Sequence, residues 1–172
     1  ALSDADRQSV EQYLRDKYFN GPANQGPAFD VWYGADQSFG QIGNPQRWAN
    51  VVGRISDPDG VASLTYSLNG GPQTTLSIGP NGTRLADAGD FNVELDVATL
   101  NNGSNRVVFT AADSLGNIST SVVIVNYMAG QSWPKVYTAD WSSASRISDV
   151  AQVVDGTWGI AGGTVRTLAS GY

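Results

Sequence analysis

Asp57 and Asp59 sit in an Asp-Pro-Asp-Gly run, Asp87 and Asp90 in a long polar stretch, and Asp113 and Asn117 in Asp-Ser-Leu-Gly-Asn. These six side chains come nearest to chemistry by type and spacing. Carboxylates and an amide oxygen are the hard ligands Ca²⁺ takes, and like charges gathered without an ion repel one another. The same residues have a plainer use. Asp and Asn bond their own backbone in tight turns, and Gly60 and Gly116 supply positive φ. The spacing is not that of a twelve-residue EF-hand loop. Both readings, calcium ligands and turn formers, stand at this point.

Aromatic side chains are the second candidate. Trp32, Tyr33, Trp48, Tyr66, Trp133, Tyr137, Trp141 and Trp158 offer ring faces that gain affinity for sugars by burying apolar surface. Tyr66 alternates in step with Leu64 and Leu68, which makes it core, and Trp48 reads the same way. Trp32 and Tyr33, close to a Gly/Pro-rich stretch, are the pair singled out for carbohydrate or for an inter-domain contact. Glu94 and Asp96 could form the acid pair of a glycoside hydrolase. They project from one strand, however, to the face opposite Phe91, Val93 and Leu95, as a solvated outer face does.

Composition narrows the classes further. The chain has no His and no Cys, which excludes Ser-His-Asp triads, Cys nucleophiles and thiolate zinc sites. The expectation is a non-catalytic protein that requires no cofactor. A net charge of −6, with ten Lys and Arg that form no cluster, disfavours nucleic acid. No apolar run approaches a bilayer span. Charged residues are only 15%, so the surface is polar through hydroxyls and amides, in the manner of extracellular β proteins.

The elements that must position these residues fall into three segments. Residues 1–20 read as one amphipathic helix: Ser3 and Asp6 form a capping box, Val10, Tyr13, Leu14, Lys17 and Tyr18 form a stripe, and Asn20-Gly21-Pro22 ends it. Residues 21–27 read as a linker. Residues 28–127 are read as β throughout, with strands expected at 29–33, 48–56, 62–69, 74–78, 91–97, 105–113 and 119–127. That number of short strands, with turn signals every ~8–12 residues, predicts an all-β, seven-stranded immunoglobulin-like sandwich. In that topology the acidic turns gather at one pole. Residues 128–172 carry strand-like runs at 151–160 and 163–168 and too few core positions to fold alone, so they read as an incomplete β segment.

The phrases SDPDGVASLTYSLNGG and LDVATLNNGSNRVVFTAADSLGN resemble the immunoglobulin-like modules, cadherin- or fibronectin-III-like, of large secreted and surface bacterial proteins. DWSSASRISDVAQVVDGTWGIAGGTVRTLASGY is similar to the opening of a concanavalin A-like (laminin G-like) domain. LSDADRQSVEQYLRDKY resembles the closing helix of such a domain. Both ends would then be cuts through a longer chain. The resemblance implies a secreted or cell-surface spacer or adhesion module whose partners are neighbouring domains and, through them, glycans. Two alternatives stay open: an accessory module of a secreted polysaccharide-degrading enzyme, and a carbohydrate-binding module in its own right.

Overall fold

A computed structural model describes residues 3–18, 25–43 and 47–168, with side chains from residue 3 to 16 in the first stretch. The helix α1 (Asp4–Tyr18) starts where its cap predicts. Asp6 N donates to Ser3 Oγ at 3.2 Å and Ser3 N donates to Asp6 Oδ2 at 3.2 Å, a reciprocal box. Val10, Tyr13 and Leu14 are exposed. The helix stop at residues 20–22 and the linker before residue 25 lie outside the described residues.

Ten strands follow among the described residues: β1 (Ala28–Val31), β2 (Asp36–Phe39), β3 (Trp48–Ser56), β4 (Val61–Leu68), β5 (Thr74–Thr75), β6 (Asp90–Asp96), β7 (Gly103–Asp113), β8 (Ile118–Tyr127), β9 (Trp158–Ala161) and β10 (Thr164–Thr167). One sheet has the order β1-β3-β6, a second β2-β8-β7-β4-β5, and β9-β10 form a separate hairpin. Pairing is antiparallel except between β2 and β8. The chain is thus mostly β, with one α-helix among the described residues.

Alternation explains why the two larger sheets share a core. In β6, Phe91, Val93 and Leu95 point inward, and in β7 so do Val107, Phe109 and Ala111; each of these is at most 2% exposed. Ala49, Val51 and Ile55 of β3, Leu64 of β4 and Val123 and Val125 of β8 complete one cluster. Phe91 and Phe109 meet with ring centroids 5.2 Å apart, and Phe29 packs against both. Tyr66 packs against this core, as its alternation requires. Trp48 does not join the cluster. It lies on the outward register of β3, with the Arg47 guanidinium 4.8 Å above its ring.

Three further departures matter for the site. The first strand ends at Val31 rather than at residue 33, and Trp32 and Tyr33 form a turn closed by Gly34 N donating to Val31 O at 3.0 Å. The chain then changes sheets, because β2 pairs in parallel with β8. Finally, the outward residues Asn50 and Val52 of β3 are only 3% and 1% exposed. Residues 145–160 fold back over this face, where Val154 O accepts from Arg84 Nη2 at 2.8 Å and from Asn92 Nδ2 at 3.4 Å.

Candidate functional site

The acidic turns divide into two groups. Asp57, Asp59 and Asp113 converge, each offering a carboxylate oxygen within 4.8 Å of the others. These three could hold a cation, but their oxygens also hold turns. Asp57 Oδ1 accepts from Asp59 N at 2.8 Å. Asp113 Oδ1 accepts from the backbone N–H groups of Leu115 and Asn117, each at 2.8 Å, and its Oδ2 accepts from Asn117 Nδ2 at 2.7 Å. Burial pushes the Asp113 carboxyl up. The bonds from Asn117, Leu115 and Gly116 outweigh that and hold it below its ordinary value.

Asp87 and Asp90 do not join this triad. Arg54, on the outward face of β3, takes both: its Nη2 lies 2.6 Å from Asp87 Oδ2 and its Nε 2.8 Å from Asp90 Oδ1. Asp90 is buried and also anchors its own turn, accepting from Asp87 N at 2.8 Å. The six side chains expected at one cation site are therefore a triad with Asn117 as a donor, and a separate arginine-bridged pair.

Glu94 and Asp96 likewise have separate partners. Arg84 Nη1 ion-pairs with Glu94, and Arg47 Nε donates to Asp96 Oδ2 at 2.8 Å. The Arg47 bond, with help from Ala98 N, holds the Asp96 carboxyl below its usual range. Asp96, so held, is not set up to give a proton near neutral pH.

A concavity of about 380 Å³ lies where residues 145–160 cross the outer side of the β1–β2 crossover. Trp32, Tyr33 and Trp158 line it together with Asn50, Gln152 and Asp36. The predicted pair Trp32 and Tyr33 is thus brought to one cleft, joined by Trp158. Trp133 and Tyr137 instead pack on each other at 4.9 Å.

Tyr33 plays a different part from Trp32. Its hydroxyl donates to Gly156 O at 2.8 Å and accepts from Trp158 N at 2.9 Å, which ties the crossover to the returning segment. Burial first, and Asp155 second, push its phenol pKa up despite the Trp158 N–H.

Two amides went unnoticed in the sequence. Asn50 Oδ1 accepts from Arg84 Nη2 at 3.2 Å, but its buried Nδ2 has no partner among the described residues. Gln152 has neither amide atom bonded among the described residues. The available signal was a lone Asn between apolar neighbours in the Trp-Ala-Asn-Val-Val run of β3. Among the described lining residues Asp36 is the one carboxylate, short of the two that glycoside hydrolysis uses.

No protein-family model matches the chain, and no curated protein does. Among solved structures it is similar to the endo-β-1,4-mannanase from Thermotoga petrophila, at 8% identity and a TM-score of 0.46. The likeness covers 75% of this chain, which spans only 25% of that one. At that level it carries no argument about activity.

Proposed function

We propose that this chain is a non-catalytic spacer and adhesion module of a secreted or cell-surface bacterial multidomain protein associated with carbohydrate binding. Its two sheets read as one immunoglobulin-like sandwich, with β1 and β2 as halves of a single first strand that changes sheets. One observation carries the spacer reading. Pro27, just before β1, accepts a hydrogen bond from Ser119 Oγ at the start of β8, whereas β8 ends at Tyr127 beside Gly103. Eight residue steps of strand separate Ser119 from Tyr127, so entry and exit stand roughly 27 Å apart. The strands that open and close the two-sheet core thus lie at opposite poles, with residues 145–160 returning over its side. Such a core sets a distance between what adjoins its two poles.

The absence of cysteine makes this directly measurable. Dyes on Gln25→Cys and Met128→Cys should report one narrow distance near 30 Å, unchanged until a single cooperative unfolding step. A broad distribution, or a distance that drifts under native conditions, would show that the chain is no spacer.

A further inference from the structure

We infer that the cleft lined by Trp32, Asn50, Gln152 and Trp158 binds one uncharged sugar unit. The inference rests on the carbohydrate-associated reading above and supplies the site and ligand class that it lacks.

Two observations converge. Asn50 is 3% exposed and lines the cleft, and its Nδ2 has no acceptor among the described residues. Gln152 lines the same cleft, and its amide donor and acceptor are both buried and both without a partner among the described residues. Buried amides are almost always paired, so two residues that line one cleft and hold unpaired amides mark where a polar ligand belongs. A hydroxyl donates and accepts at once, and hydroxyls on neighbouring carbons suit amides that offer both roles.

The walls and the charges define the class. The indoles of Trp32 and Trp158 supply apolar surface for the C–H faces of a ring. Asp36 and Arg146 are the charged residues in the lining, and both are engaged. Asp36 Oδ1 accepts from Asn126 Nδ2 at 2.7 Å, and Arg146 Nε lies 3.7 Å from Asp149 Oδ1. Opposite signs and prior partners leave no net charge to select an ionic ligand. A volume of about 380 Å³ lies at the small end of the ~300–1,000 Å³ range for such sites, which suits a glycan's end rather than its length. Tyr33 positions the wall, because its hydroxyl is consumed at both sides.

The test uses the full chain, with glucose, galactose, mannose and xylose as probes and glucuronate and glucosamine as charged counterparts. Binding is read by saturation-transfer NMR and tryptophan emission. At least one neutral sugar should bind saturably in the millimolar range, and no charged counterpart should bind more tightly. Gln152→Met and Trp32→Ala should each weaken it about tenfold or more while leaving the melting temperature in place. Three results would overturn the inference: no neutral sugar bound at roughly 100 mM, binding unchanged in Gln152→Met, or a charged sugar preferred. If the amides only hold water, no sugar binds and Gln152→Met melts at or above the parent temperature. The dye-pair distance would survive any of these failures, which separates loss of this site from loss of the spacer role.

Discussion

Asp113 is held at both carboxylate oxygens by Leu115 N, Asn117 N and Asn117 Nδ2, and Gly116, inside that turn, has a φ of 88°. A carboxyl whose pKa falls on folding stabilises the fold above its unfolded value and loses that contribution as pH drops through the folded one. Asp113 is such a group, so its contribution is complete at neutral pH and fades on strong acidification. Asp113→Ala should lower the melting temperature by several degrees at pH 7, and the gap to the parent should narrow in scans below about pH 4. A gap that is constant from pH 7 to strong acid would mean the carboxylate charge is not what the turn uses. The same bonds bear on calcium. Protein donors already hold Asp57 and Asp113, so EDTA is expected to leave the melting temperature where it was. A fall of several degrees in EDTA, restored by Ca²⁺ and absent in Asp59→Asn, would instead make the triad a calcium site.

At the scale of elements, the close approach of β1 to β3 depends on Gly53. A Cβ there would meet Asp30 O at 2.5 Å and the Phe91 ring at 2.7 Å, with strand pairing fixing one side and the core the other. Gly53→Ala should therefore cost about 1–3 kcal/mol in urea unfolding, as overpacking does, and an unchanged midpoint would refute this account of the strand pair. The crossover after β1 depends on Tyr33. Tyr33→Phe strips the partner from Gly156 O and Trp158 N, so exchange at the Trp158 amide should speed up about tenfold while core amides such as Val107 stay protected. Strands β4, β6, β7 and β8 were legible because each buries mainly one face, which period-two alternation records. Strand β3, buried on both faces, was legible as an apolar-rich run ended by a strong turn sequence. Strand β2 was not, since Asp-Gln-Ser-Phe is short and polar and is ordered by parallel pairing with β8. Asp87 and Asp90 were assigned to the wrong cluster for a similar reason: the register that puts Arg54 opposite Asp90 is a tertiary fact. Trp32 and Tyr33 could be picked by type, but Asn50 and Gln152 meet only because residues 145–160 return over β3.

Across the whole molecule, the core and its cover draw on different parts of the chain. Every residue of the central cluster lies between Phe39 and Tyr127, and the hydrophobics packed on it fall between Phe29 and Leu100. Residues 145–160 add a layer outside the three-stranded sheet, joined by Arg84, Asn92 and Tyr33. Ending the chain after Met128 should therefore leave a domain that still unfolds in one cooperative step. It should also be less stable, because Arg84, Asn92 and Tyr33 would lose their partners in residues 154–158. Arg84 would keep Glu94 but lose Val154 O. Calorimetry of the shortened chain decides the matter. A sharp transition at lower temperature means a self-sufficient two-sheet core whose cleft wall is an added part, and such a chain should bind no sugar because Gln152 and Trp158 are gone. A broad, non-cooperative transition would place the returning segment inside the folding unit, and cleft and core would then be one structure.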